Sequence, residues 1–370
     1  MAITSQGLYP LGDTDYATPP GETLRELLEE RGMSQRELAR RTGLSPKHVN
    51  RLLQGLVPLS PDVAQRLELV TGTPARLWNS LEANYRSDLE RLRERRDLVA
   101  CARWLTEMPV SALLKRGVLP NEPGDTSSRV EQMLGFFGVA SVDAWEDVYG
   151  NLACAFRQSK AFEVKRGAVT AWLRLGELAA LDVHCAPFNG AGLRAAIPDL
   201  RALTIEPPEV FGPKMQDICA AHGVAVVFVG EVTGARASGV ARWLTPVKAL
   251  IQLSLRYGTD DHLWFTFFHE VDHVFRLGKS EVRIEGTTGV TDDPVETKAD
   301  RFARDVLIPP NDAAELGRLK STAAVRKFAA RIGIAPGIVV GRLQHDHFWT
   351  RSRGNDLKRR IALADAADDV

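Results

Sequence analysis

His269-Glu270-Val271-Asp272-His273 sets two histidines four residues apart, with a glutamate directly after the first. On a helix this spacing puts both imidazoles on one face, about a turn apart, where they reach a single ion. A zinc held by three protein groups and one water makes a nucleophile at neutral pH, and a carboxylate beside the open position takes the proton. In that arrangement His269 and His273 are ligands and Glu270 is the catalytic base. The chemistry is hydrolysis of a peptide bond. A purely structural zinc normally has four protein ligands and favours cysteine, and no cysteine lies near the motif.

The third ligand must come from elsewhere. Glu281, Glu285, Asp292, Asp293, Glu296 and Asp300 are the downstream acids. Glu296 is preferred because it opens a helical segment, Val295 to Leu307, on the side of the apolar stripe Ala299, Phe302, Ala303 and Val306. An inward carboxylate needs compensation, which a metal supplies. Asp300, four residues on, is placed to hydrogen-bond a ligating histidine from behind. Tyr257, His262 and Arg256 are the nearest groups for stabilising an oxyanion, and the sequence does not choose among them. His345 and His347 read as surface residues.

The motif must sit on a buried helix, because Leu263-Trp264-Phe265-Thr266-Phe267-Phe268 and Val274-Phe275 flank it. Its buried polar groups therefore need partners. Val224 to Val229 and Ala249 to Leu255, with Gly239 to Leu244 between them, predict a small sheet against that helix. Helical segments are expected at Pro294 to Leu307, Ser321 to Ile332 and Pro336 to Gln344.

A second chemistry is written near the start. Ser34 and Glu37 make a capping box for one short helix, Thr42-Gly43-Leu44 a tight turn, and Ser45-Pro46 the start of a second helix with Val49, Leu52 and Leu53 inward. Two helices joined in this way predict a helix-turn-helix. The start of the second helix would enter a major groove, placing Lys47, His48 and Arg51 at base edges and Asn50 beside them. Gln35 and Arg36 would sit near phosphates. Residues 32–57 carry net charge +4, while the whole chain is neutral with 47 basic and 47 acidic residues, so nucleic-acid affinity is local to this patch.

Two family resemblances follow from these residues. Met33-Ser34-Gln35, Glu37-Leu38-Ala39, Thr42-Gly43-Leu44-Ser45, Leu52-Leu53-Gln54-Gly55, Gly72-Thr73-Pro74, Leu77-Trp78-Asn79 and Leu81-Glu82-Ala83-Asn84-Tyr85 resemble the HigA-type antitoxins of the XRE helix-turn-helix family. That resemblance implies binding to a double-stranded DNA operator as a homodimer, often with autorepression. His269 to His273, with Glu296-Thr297-Lys298-Ala299-Asp300-Arg301-Phe302-Ala303 and Leu307-Ile308-Pro309, resembles the ImmA/IrrE metallo-endopeptidases. That resemblance implies Glu296 as third zinc ligand and one zinc per chain. Asp272 departs from it, since many members have Leu-Gly at 271–272, and adds a charge near the site.

The 370 residues, 44% hydrophobic and 25% charged, suit a soluble protein of two or three domains. No apolar run approaches the roughly 20 residues of a membrane helix. The opening residues carry no signal-peptide pattern, and Cys101, Cys154, Cys185 and Cys219 are too dispersed for a disulfide scaffold, so a cytoplasmic location is expected. The expected fold is mainly α (α+β): a flexible arm over 1–20, an all-α helix-turn-helix domain over 21–85, and a helical linker or sensor over 86–205. A zincin-like metallopeptidase domain with a small β-sheet then covers 206–350, and a polar tail 351–370. The expected function is a DNA-binding regulator with a zinc endopeptidase domain that cleaves a partner protein or itself. The alternative is an antitoxin-like autorepressor whose partner is a toxin and whose zinc domain senses or binds.

Overall fold

The computed structural model describes residues 16–121, 124–150, 165–276, 283–286 and 294–361. Residues 1–15 of the expected arm, Cys154, the candidate acids Glu281, Asp292 and Asp293, the side chain of Glu285, and 362–370 of the expected tail lie outside it. Two compact units emerge: residues 1–102 with 124–131, and residues 103–123 with 132–370.

The first unit is helical. Its helices are α1 Pro20–Glu30, α2 Gln35–Thr42, α3 Pro46–Leu53, α4 Pro61–Thr71 and α5 Ala75–Ala100. Serine caps start three of them: the side chains of Ser34, Ser45 and Ser60 accept from the backbone N–H of Glu37, His48 and Val63. Between α2 and α3, Gly43 takes φ 70°, a left-handed conformation in which its N–H donates to Ala39 O. The apolar stripes of all five helices converge on a core that includes Leu24, Leu38, Val49, Leu52, Leu67 and Trp78. One detail differs from the expected capping box. The Glu37 carboxylate turns to Arg40 and Arg41, at 2.9 and 2.7 Å, instead of reaching back to the cap.

The second unit is built on a four-stranded sheet of β1 Val224–Phe228, β2 Ala237–Thr245, β3 Lys248–Leu253 and β4 Arg283–Gly286. The strand order is β1-β3-β2-β4, with β1 parallel to β3 and the other pairs antiparallel. Successive side chains of a strand alternate between faces, and both faces here are buried, which explains the unbroken apolar run of β1. Val224, Val226, Ala241 and Ile251 point to one face. Against it pack Trp264, Phe267, Phe268 and Val271 of the helix Asp260–Arg276, and helices Pro208–Ala220, Pro294–Leu307, Thr322–Ile332 and Pro336–His345 complete this layer.

Ala225, Val227, Val240 and Leu250 point to the other face, covered by Ala168, Val169, Trp172 and Leu173 of the helix Arg166–Leu181. Numbered along the chain, these helices are α6 Arg166–Leu181, α7 Pro208–Ala220, α8 Asp260–Arg276, α9 Pro294–Leu307, α10 Thr322–Ile332 and α11 Pro336–His345. The fold is therefore mainly α with a small sheet, as expected. Within the region expected as a helical linker or sensor over 86–205, α6 packs as a layer on the sheet. Trp172 Nε1 donates to Val229 O at 3.0 Å, Gln252 Nε2 to Trp172 O at 2.7 Å, and Arg242 to Glu177 at 2.7 Å.

Part of the tail expected over 351–370 packs on this unit. Leu357 and Ile361 are buried. Asp260 N donates to Arg359 O at 3.0 Å, Arg359 N to the Asp260 carboxylate at 3.1 Å, and Ile361 N to Gly258 O at 3.0 Å. Lys358 pairs with Asp261 at 2.6 Å. Residues 358–361 thus fasten the first turn of α8. Gly337 and Gly341 of α11 make room for the two aspartates: a β-carbon at either would lie within 2.5 Å of a carboxylate oxygen.

Candidate functional site

α8 carries the motif in its buried second half: His269, Glu270 and His273 are 2, 0 and 1% exposed. The i, i+4 spacing turns both imidazoles to the first turn of α9. His269 Nε2 lies 2.9 Å from His273 Nε2 and 3.1 Å from Glu296 Oε2, and His273 Nε2 lies 3.4 Å from the same oxygen. Behind the cluster, His269 Nδ1 is 2.9 Å from Asp300 Oδ1. That contact assigns the neutral-ring proton to Nδ1, which leaves a lone pair on Nε2 aimed at Glu296 and His273. Donor atoms facing one another at these distances suit a shared cation. Two imidazole nitrogens and a carboxylate oxygen are a donor set fit for zinc. Among the described residues, His269, His273 and Glu296 are the group able to hold a metal ion. Burial opposes ionisation of Glu296, but the two histidines outweigh it and hold the carboxyl well below the usual range. The site leaves Glu296 partly open, at 24% side-chain exposure.

Glu270 lies a quarter turn round the helix from His269 and faces β2. A β-carbon on Gly239 would stand 2.8 Å from Glu270 Oε1 and 2.5 Å from Thr266 Cγ2, so only glycine fits where strand and helix meet. Sequence reasoning assigned Gly239 no role; a glycine inside a strand is the signal for such a close approach. Asp272 is 1% exposed and pairs with Arg276 one turn on, which compensates the charge it adds. Nδ1 of His273 is buried with no hydrogen-bond partner among the described residues.

The three oxyanion candidates come together, but away from the ligands. Arg256, Tyr257 and His262 line one small cavity, with Tyr257 and His262 stacked at 4.3 Å and Arg256 donating to Arg236 O at 2.8 Å. His262 precedes His269 by seven residues, about 10 Å along the helix axis. His345 and His347 are exposed, as expected. Cys101, Cys185 and Cys219 are unpaired thiols.

In the first unit, Gln35, Arg36, Lys47, Asn50 and Arg51 are all exposed at the starts and outer faces of α2 and α3. His48 differs: it is half-buried and its Nε2 is enclosed without a partner among the described residues. Arg66 was missed by sequence reasoning. From α4 it reaches the turn between α2 and α3, where it donates to Thr42 O at 3.2 Å.

The family model described as helix-turn-helix matches residues 24–78. An uncharacterized HTH-type transcriptional regulator of Escherichia coli strain K12, YddM, is 36% identical over 81 residues, which are 20% of this chain and 86% of that protein. The chain belongs, through this module, to the helix-turn-helix transcriptional regulators, and it binds DNA. A solved addiction module antidote protein of the HigA family from Coxiella burnetii is 26% identical over 23% of this chain and 92% of its own, with a TM-score of 0.21. No helix among the described residues is long and apolar enough to cross a membrane.

Proposed function

We propose that this DNA-binding regulator carries, in its second unit, a zinc-dependent endopeptidase that cleaves a partner protein or the chain itself. The observation that carries the reading is the convergence of His269, His273 and Glu296 beside the buried carboxylate of Glu270. The resemblance of these residues to the ImmA/IrrE metallo-endopeptidases supports it. His269, His273 and Glu296 would hold one zinc per chain. Bound zinc supplies Lewis acidity, polarising the scissile carbonyl and making water acidic enough to attack at neutral pH. Glu270 accepts the proton of the attacking water on its carboxylate and returns it to the leaving amine. Asp300 fixes the ring of His269, and Gly239 allows Glu270 to stand against β2. Lys47, Asn50 and Arg51 would read base edges while Gln35 and Arg36 hold phosphates, in a homodimer on an operator in the cytoplasm.

The test is to combine zinc-loaded protein with proteins encoded beside it and to follow cleavage by mass spectrometry. Wild type should cut one partner or itself, and Glu270→Gln should not while keeping its zinc. Cleavage that persists in Glu270→Gln would end the assignment. A second reading rests on the HigA-type sequence pattern, which continues past the helix-turn-helix to Trp78, at the centre of the first unit's core. In that reading the chain is an antitoxin-like autorepressor and the zinc unit senses or binds. Glu270→Gln would then leave repression and toxin neutralisation intact.

A further inference from the structure

In the second unit, the turn that follows α11, residues 347–355, lies beside the short segment 316–320. Trp349 is buried, and its Nε1 donates to Leu319 O at 3.0 Å. The Arg353 guanidinium lies 4.2 Å over the Trp349 ring and donates to Lys320 O. Phe348 rests on Gly317, where a β-carbon would come within 3.3 Å of its ring. Side-chain amides brace the turn from within. Gln344 donates to Arg351 O and Arg353 O at 3.1 and 2.8 Å, and Asn355 donates to Arg351 O at 3.1 Å.

The surface built in this way is basic. The two segments carry four cations, Arg318, Lys320, Arg351 and Arg353, and no acid. All four are exposed, and none makes an ion pair among the described residues. By contrast, Arg174, Arg242, Arg331 and Arg342 of the same unit are each paired with a carboxylate. Of the bordering acids, Asp346 is taken by Arg342 at 2.7 Å and His345 at 3.0 Å, and Glu315 by Arg331 at 3.0 Å. Asp356, at the end of the turn, is exposed. Like charges gathered without counter-charges raise the local potential, which favours an anionic partner.

An aromatic ring stands among these charges. Phe348 is 49% exposed, and His347 beside it is exposed as well. His347 has φ 60° and ends α11, with Phe348 N closing onto Leu343 O at 2.9 Å. Glycine is the usual residue at such a left-handed helix end, so histidine there is held at an energetic cost. A flat apolar ring flanked by cations matches one strand of a nucleic acid, whose phosphates meet the cations while an unpaired base stacks on the ring. In a duplex the bases stack on one another and offer no free face. A membrane surface takes a whole apolar helix face, whereas Phe348 is a single side chain.

We infer that this face of the second unit is a binding site for single-stranded nucleic acid. Arg318, Lys320, Arg351 and Arg353 hold backbone phosphates, and a base stacks on Phe348. The site is separate from the helix-turn-helix and independent of the zinc and endopeptidase reading.

The experiment uses the full chain and a fluorescein-labelled oligothymidylate, with binding read by anisotropy across a salt series. Wild type should bind. The double variant Arg318→Ala with Arg351→Ala should bind about tenfold more weakly, with a salt slope lower by about 1.4, the value for two lost phosphate contacts on a single strand. Neither of these side chains makes a hydrogen bond or ion pair among the described residues, so their removal leaves the fold intact. Phe348→Ala should weaken binding by about fivefold or more, and Phe348→Tyr should restore it. A random-sequence duplex should be bound alike by all four proteins. Failure of the wild type to bind oligothymidylate overturns the site, as does wild-type affinity in either the double variant or Phe348→Ala. An equal loss on the duplex overturns the single-strand assignment. Binding to vesicles of phosphatidylglycerol and phosphatidylcholine, without binding to oligothymidylate, overturns it in favour of a membrane surface.

Discussion

Gly239 and Glu270 meet so closely that the strand has no room for a β-carbon: the position it would take is 2.8 Å from Glu270 Oε1. The glutamate is thereby clamped between its own helix and β2, and its carboxylate is placed by backbone, which does not hop between rotamers. Preorganisation of this kind matters for the proposed role of Glu270, because a general base works only within hydrogen-bond reach of the proton it takes.

Gly239→Ala should therefore push Glu270 and Thr266 aside. Peptide hydrolysis is expected to fall by about a hundredfold, a typical value for loss of a positioned base. If the proposed zinc site holds, zinc content should stay at one per chain, because none of the three proposed ligands is on β2. Parallel metal analysis and rate measurement check this; an active Gly239→Ala protein would show that the clamp has no effect on catalysis.

Asp300 lies 2.9 Å from His269 Nδ1, and in the proposed zinc site it would act through that histidine. Asp300→Ala should weaken zinc binding by about 10–100-fold, as removal of a partner behind a ligating histidine does elsewhere. Glu296→Gln, which alters a ligand itself, should weaken it further. Competition with a chromogenic chelator ranks the three proteins, and an order with Asp300→Ala equal to wild type would remove Asp300 from the site.

The first turn of α8 gives a pH dependence. Burial, with help from Asp261, pushes the Asp260 carboxyl from 3.8 up to about 6. A raised acid means that the folded state holds its proton more tightly than the unfolded chain. Its stabilising contribution is complete below about pH 4 and lost as pH rises to about 6. Asp260→Asn keeps an acceptor for the backbone N–H groups of Asp261 and Arg359 and removes the charge. It should raise stability at pH 7.5 by on the order of 3 kcal/mol and flatten the slope between pH 4 and 6. Thermal melts across this range decide it: an unchanged slope would show that Asp260 ionises freely.

On the DNA side, the proposed base-reading and phosphate-holding residues should separate by salt. Arg36→Ala should weaken binding to all sequences alike and lower the salt slope by about 0.9. Arg51→Ala should cost about 1–3 kcal/mol on the operator and less on random DNA. His48→Ala should act chiefly on stability, because its ring is half-buried. Titrations at three salt concentrations test all three, and a His48→Ala protein that loses operator preference would return His48 to the reading face.

What was legible in the sequence was local. Ser34, Ser45 and Gly43 act within a few residues of themselves, and His269 and His273 are joined by one helical turn. Glu296, which opens the segment carrying the apolar stripe of α9, lies 3.1 Å from His269 Nε2. Two other relationships span much longer stretches of chain. Arg359 meets Asp260 across 99 positions, and Gln252 meets Trp172 across 80, with no periodicity linking either pair. The strand ending at Leu253 was expected to run on to Leu255, but that residue turns left-handed and begins the cavity wall.

The layer formed by α6 has a practical consequence for anyone dividing the chain. A fragment starting at residue 206, where sequence alone places the boundary, would leave Ala225, Val227, Val240 and Leu250 bare to water. Such a piece would aggregate or recruit a second copy to shield that surface. Its inactivity would then say nothing about its chemistry. A cut at residue 103 keeps α6 on the sheet, and that fragment tests whether the proposed metal site forms without the DNA-binding module.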